Sequence, residues 1–196
     1  MNTDNDYIYK TTEDNELVLS EYGSKIKWRN RMINLAKHVS LWSLDPRSKV
    51  GAVLVSKKGG DITLGYNGFP FGVKDDKRLN DKHQKLNIIV HAEVNAIIAA
   101  GSRASDGDLY VYGKSICARC AGPIIQSGIK RVFAKKPKEE GTYNPPTEEG
   151  AIDWEEMGRI SESMFKEANI EVIYYEFKET VEENGNRYDV YSFSDL

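Results

Sequence analysis

Residues 89–101 read "IVHAEVNAIIAAG". The stretch is nearly all apolar, closes on Gly101 and carries one histidine and one glutamate at its start. It predicts a short buried helix ended by a glycine. His91 and Glu93 lie two residues apart, a spacing that does not share a face in mid-helix. In the first turn, however, both side chains can bend toward whatever sits off the helix end. The pair therefore points to a site rather than a surface.

Further along, "CARCAGPIIQSG" (117–128) predicts a second buried helix, closed at Gly128 and opening on Cys117 and Cys120, the only two cysteines of the chain. Without a secretory leader, such a pair reads as metal-binding or redox-active sooner than as a structural disulfide. Helix N-termini carry partial positive charge, which favours thiolates there. One imidazole and two thiolates suit Zn²⁺, and three protein ligands leave the open tetrahedral position of a catalytic ion. His91, Cys117 and Cys120 are thus the expected ligands of one zinc per chain. His38 and His83 sit in no such cluster. Glu93 has the place of the acid–base group that handles protons of zinc-activated water. H-x-E alone is a weak signal, but joined to C-x-x-C it is the pattern of zinc nucleobase deaminases. A redox pair would need neither His91 nor Glu93, and a non-catalytic zinc or nucleotide sensor would not need Glu93.

The 196 residues are 40% apolar and 29% charged, with a formal net charge of −3. That suits one globular domain and gives no basic face for a polynucleotide. There is no run of about 18 apolar residues for a membrane span and no charged-then-apolar leader, so a cytoplasmic protein without membrane or nucleic-acid partners is expected. A small anionic substrate fits, because a pocket needs only two or three cations.

Residues 1–25 hold six Asp/Glu against two Lys and are expected to form a mobile or loosely docked acidic extension. An amphipathic helix is expected over 26–42. A hairpin should follow, with strands from Lys49 to Val55 and up to Tyr66 about a Gly59-Gly60 turn. Residues 68–88 read as a long charged loop, suspect for function. Beyond the first buried helix come a strand "DLYVYG", the second buried helix, a strand "IKRVFAKK", an amphipathic helix from Asp153, and a fifth strand turning back at Asn184-Gly185. A helix between strands four and five implies a parallel crossover.

Taken together, "DPRSKVGAVLV" (45–55), "GYNGFPFGV" (65–73), "HAEVNAI" (91–97) and "CARCAGPIIQSGIKRV" (117–132) resemble, in order, the deoxycytidylate (dCMP) deaminase family of cytidine-deaminase-like zinc hydrolases. The resemblance covers about residues 26–175. It implies an α/β fold, a three-layer α-β-α arrangement around a five-stranded mixed sheet, with a deaminase domain over 26–180 and a C-terminal hairpin or tail over 181–196. It also implies hydrolytic deamination of dCMP to dUMP, with activated water attacking C4 and Glu93 shuttling protons. By the same resemblance Asn67 meets the substrate's sugar, the Ala92 N–H faces the pyrimidine O2, and the Ser115 carbonyl faces the exocyclic amine. Arg78 and Lys85 are the phosphate candidates in a loop whose charges otherwise read as a solvated face. The 65–73 segment resembles the place where allosteric dCTP or dTTP binds in many members. A homo-oligomer, dimer or hexamer, is implied too. A related substrate (dCTP, a modified dCMP or cytidine) is the alternative. Ile116 stands where the family usually has proline, so a looser turn that keeps zinc is expected.

Overall fold

The run Gly51–Val55 has no polar position, and a strand without polar alternation must be covered on both faces. In the computed structural model, which describes residues 9–11, 17–19, 21–183 and 185–195, all five residues are buried. This strand is β3. Before it come a two-stranded pairing, β1 (Tyr9–Thr11) with β2 (Leu17–Leu19), and helix α1 (Glu21–Ser40). After it come β4 (Ile62–Tyr66), α2 (Lys82–Ile88), α3 (Ala92–Ala100), β5 (Asp108–Tyr112), α4 (Ala118–Gln126), β6 (Arg131–Ala134), α5 (Trp154–Glu167), β7 (Glu171–Glu183) and β8 (Asn186–Phe193).

The six-stranded sheet runs β4-β3-β5-β6-β7-β8. β5, β6 and β7 are parallel through the α4 and α5 crossovers, and the other pairings are antiparallel. Alternate residues feed opposite faces. Val53, Val55, Tyr110 and Phe133 pack with Met32, Ile33 and Ala36 of α1. Ala52, Leu54, Leu109, Val111 and Val132 pack with Ala92 and Ala96 of α3, Ala121 and Ile124 of α4, and Phe165 of α5. The three layers expected from sequence are present.

Two features of this frame position the site. Tyr66 at the end of β4 and Tyr112 at the end of β5 both lie opposite Gly51. β4 and β5 run the same way and stop at the same level, so the segments leading to α3 and α4 leave from one rim of the sheet. Then α3 sits directly on β4. A Cβ on Gly65 would lie 2.2 Å from the Ala92 carbonyl and 2.5 Å from the Ala96 nitrogen. Gly51 does the same for α1, where a Cβ would lie 2.0 Å from the Ala36 carbonyl.

The far edge of the sheet is closed from α1. The Asn34 side chain accepts from the Asp189 N–H (3.0 Å) and donates to the Asp189 carbonyl (2.7 Å). Asn30 does the same to Tyr191, at 2.7 and 3.4 Å. Four residues of helix rise about 6 Å and two residues of strand about 6.6 Å, so asparagines at i and i+4 can serve strand residues at i and i+2. Polar groups of an exposed strand edge are thereby used up. Lys37 pairs with the Asp189 carboxylate, and Arg29 makes two bonds to Asp195, at 2.7 and 2.8 Å.

Several expectations are corrected. The sheet has six strands, not five, because the chain that turns back after β7 joins it as β8, paired antiparallel with β7. The first helix starts at Glu21 and ends at Ser40, not 26–42, and the first hairpin strand starts at Gly51, not Lys49. The charged segment 68–88 is not all loop. It contains a 3₁₀ turn at Lys77–Leu79 and α2, where Asp81 accepts from the Gln84 N–H (2.9 Å) and Gln84 reaches back to Asp81 (2.8 Å). Much of the acidic extension expected over 1–25 lies outside the described residues. Among the described residues, no helix is long and apolar enough to cross a membrane.

Gly65→Ala should destabilise the fold by about 1–3 kcal/mol, the usual cost of overpacking a tight core, read by denaturant unfolding against Gly60→Ala, where nothing lies within 4 Å. Stability should also fall in acid. Burial opposes the Asp189 charge, but bonds from Lys37, Thr180 and Tyr191 win and hold its carboxyl below the ordinary value of 3.8. A depressed carboxylate contributes fully above its unfolded value and loses that contribution as pH falls through the folded one. Below about pH 4 the unfolding midpoint of the wild type should drop more steeply than that of Lys37→Met.

Candidate active site

His91 is the N-cap of α3, with φ −75° and ψ 154°, and Cys117 is the N-cap of α4, with φ −86° and ψ 158°. An N-cap side chain ordinarily turns back to accept from its own helix. Neither of these does, and they turn toward each other. His91 Nδ1 lies 3.2 Å from Cys120 Sγ and 3.5 Å from Cys117 Sγ. All three ligand atoms fall within 4.8 Å of one another. Zn–S bonds of ~2.3 Å and Zn–N bonds of ~2.0 Å at tetrahedral angles put such atoms about 3.5–3.8 Å apart. The cradle fits zinc, with Nδ1 as the histidine donor, and no fourth His, Cys or carboxylate joins the cluster among the described residues.

Cys120 belongs to the first turn of α4 and Glu93 to the first turn of α3. Both are buried, at 1% and 4% exposure. Burial pushes the Glu93 carboxyl above the ordinary carboxylate range, opposed by the nearby His91 charge, and Cys120 lies within its hydrogen-bonding reach. The Cys117 thiol is held down to about 4, first by the hydrogen bond from Cys120, then, against burial, by His91. Donating that bond, together with burial, pushes Cys120 up. His91 is raised, chiefly by its bond to Cys117. A set that already holds one thiolate suits a dication, whose charge completes the deprotonation of the other.

The approach to the cradle is braced. Ile116, in the position where proline was expected, is buried, and its carbonyl accepts from Ser161 Oγ of α5 at 2.8 Å. The turn is held from α5 rather than by a ring, so the looser turn expected for want of proline is not what the packing favours. Ser115 is half-buried just before it, and its hydroxyl oxygen lies 3.2 Å from where a Cβ on Gly158 would sit. Trp154, at the start of α5, lies 6.1 Å from His91 between ring centroids. On the other side the Gly68 and Val90 backbones exchange hydrogen bonds of 3.1 and 2.8 Å, fixing the chain just before His91.

The remaining expected residues are placed unevenly. Ala92 is fully buried at the first position of α3, where a backbone N–H has no partner within the helix. Asn67 is buried, its side chain donating to the Ser48 carbonyl (2.8 Å) and accepting from the Val50 N–H (2.8 Å). Arg78 is bonded to Asp76 (2.8 Å) and to the Lys74 carbonyl (3.1 Å), over the Phe69 ring. Lys85 is buried and paired with Asp45 Oδ1 at 2.8 Å. Asp45, Ser161 and Trp154 were not singled out from sequence as site residues. Asp45-Pro46 did carry a turn signal.

The description "Cytidine and deoxycytidylate deaminase zinc-binding region" names the family whose model matches residues 26–136, more than half of the chain. The chain belongs to this deaminase family. It is 34% identical over 148 residues to an "Uncharacterized deaminase in luxG 3'region" of Aliivibrio fischeri, covering 76% of this chain and 93% of that one. It is 38% identical over 127 residues to a "Probable deoxycytidylate deaminase" of Caenorhabditis elegans, covering 62% of this chain and 64% of that one. The dCMP deaminase of cyanophage S-TIM5, solved in complex with dCMP and dUMP, shares the fold at 22% identity with a TM-score of 0.58, over 76% of this chain and 96% of that one. As a member of this family the chain is a zinc-binding deaminase.

Cys117→Ala and His91→Ala should each bring zinc from about one per chain to near none, because two ligands do not make a stable site. Atomic absorption on the purified proteins reads this. Glu93→Ala should keep its zinc, since Glu93 stands outside the ligand set. Zinc should also be lost progressively as pH is lowered, protons displacing the metal from thiolates and imidazole.

Proposed function

We propose that this deaminase converts dCMP and water to dUMP and ammonia. The observation that carries the reading is the buried Glu93 carboxyl, within reach of Cys120 and raised by burial, beside a three-ligand cradle. The deoxycytidylate deaminases among the relatives support the substrate. The chemistry that a zinc held by His91, Cys117 and Cys120 supplies there is activation of water near neutral pH.

Glu93 does the proton work. It takes one proton from the water and delivers it to N3 of the pyrimidine, which makes C4 electrophilic. When the oxygen has added at C4, Glu93 takes that oxygen's remaining proton and carries it to the amine, the C4–N bond breaks as C4=O forms, and ammonia leaves. Burial raises this carboxyl above the ordinary range, which favours its holding a proton between the two transfers. The Ala92 N–H, at the positive end of α3, faces the pyrimidine O2. The Ser115 carbonyl accepts from the departing amine, which tells cytosine from uracil. Asn67 presents its side chain to the sugar, and Arg78 is the phosphate candidate at the surface of the 68–88 segment.

Control by dCTP or dTTP belongs to the same proposal, with the 65–73 segment as its place and Phe71 fully exposed at the tip. So does a homo-oligomer, dimer or hexamer, supported by exposed Leu41, Trp42 and Leu44 after α1, and so does a cytoplasmic location.

Ultraviolet-monitored turnover tests the reading. The wild type should deaminate dCMP in preference to dCTP and deoxycytidine, and Glu93→Ala should fold and lose roughly 10²–10⁴-fold in kcat. Zinc-loaded protein that deaminates none of the three, with or without dCTP, would overturn it.

A further inference from the structure

Lys85 was expected to hold phosphate, but its position argues otherwise. Its side chain is 7% exposed and that of Asp45 3%. The same Asp45 Oδ1 also accepts from the Arg47 N–H (2.8 Å) and the Ser48 N–H (3.0 Å), so the ammonium completes a carboxylate that folds the 45–48 turn. Drawing Lys85 toward a phosphate would leave a buried carboxylate without its cation, a costly exchange.

That turn is also what holds Asn67. Its side chain spans the Ser48 carbonyl and the Val50 N–H, while Ser43 Oγ donates to the Asn67 carbonyl (2.7 Å) and accepts from the Asp45 N–H (3.2 Å). A carboxamide has two N–H bonds and two lone pairs on oxygen. One of each is used here, and one of each is left for a ligand. One residue on, the Gly68–Val90 bridge ties this strand end to the chain that enters His91. That same chain begins in α2, which Lys85 anchors. The ring is closed from Lys85 to Asp45, through Ser48 to Asn67, across Gly68 and Val90, and back along the chain.

We propose that Lys85 and Asp45 are a positioning pair, whose buried ion pair fixes the turn that aims the Asn67 side chain at the nucleoside and takes no part in holding phosphate. The claim rests on the pyrimidine nucleotide reading above. The 68–88 segment then serves the site mainly through one buried cation rather than through its many exposed charges.

The test is Lys85→Met in the full chain, with zinc measured and dissociation constants for dUMP and deoxyuridine taken by calorimetry. Zinc should stay near one per chain. Both ligands should weaken by a similar factor, on the order of tenfold, as expected for a misplaced contact group, with the dUMP-to-deoxyuridine ratio held. Loss confined to dUMP would make Lys85 a phosphate ligand and overturn the proposal. No loss for either would make the pair merely structural and overturn it as well. Asp45→Asn with Lys85→Gln keeps an oxygen for the two backbone amides and a donor to meet it, and should recover most of the affinity; a folded double variant without recovery counts against the proposal. Should the wild type bind neither pyrimidine, the substrate reading fails instead. The positioning claim is then read from the Asn67 side-chain amide protons by NMR. They should exchange slowly in the wild type and faster in Lys85→Met, and equal protection would contradict it.

Discussion

The contact between Gly65 and the first turns of α3 is the constraint on which the site depends. The helix backbone lies where a side chain of β4 would otherwise be, so α3 is seated on the sheet by main chain against main chain. Its N-terminus is then set by the strand rather than by adjustable side chains, and His91 and Glu93 inherit that placement. The other half of the cradle comes from β5, which ends level with β4 and delivers Cys117 and Cys120 to the same rim. An α/β sheet collects ligands at the carboxyl ends of its strands for this reason. Zinc chemistry asks for three donor atoms in a small volume, and two helix starts leaving one rim supply them.

Around that rigid centre the polar groups are nearly all spent on holding position. Ser161 holds Ile116, Asp45 holds its own turn and Lys85, and Asn67 holds the strand end. No buried side-chain nitrogen or oxygen among the described residues lacks a partner. A buried network with every member satisfied rigidifies its surroundings, whereas a half-satisfied one would be costly. Glu93 is the buried acid whose charge is not settled by an ion pair: burial raises it, and the His91 charge, its own backbone N–H and Cys120 pull back.

The clustering of His91, Cys117 and Cys120 was legible in the sequence because residue type and spacing limit the chemistry so tightly. Two cysteines three positions apart suit little besides metal or redox chemistry, and a helix that starts on H-x-E narrows that choice to metal. The five strands with a strong apolar pattern were legible too. What was hidden shared one cause, that charged residues read as solvent-facing until their partners are known. Lys85 looked like a free cation because Asp45 lies 40 positions earlier. α2 looked like loop because it is seven residues long and mostly polar; only the Asp81–Gln84 capping pair could have betrayed it. The turn back at Asn184-Gly185 was legible, but the outer half of β7 and the start of β8 look polar because they meet each other more than the core, and only Tyr191 and Phe193 at the far end of β8 reach it.

X-ray absorption at the zinc edge of the purified protein is the most direct measurement of the central claim, a three-ligand zinc with one position open to water. Two sulfurs at about 2.3 Å and two nitrogen or oxygen neighbours at about 2.0–2.1 Å are expected. One of the latter should respond to a bound pyrimidine analogue. A shell with three or four sulfurs, or protein that takes up no zinc while Cys117 and Cys120 are reduced, would contradict it.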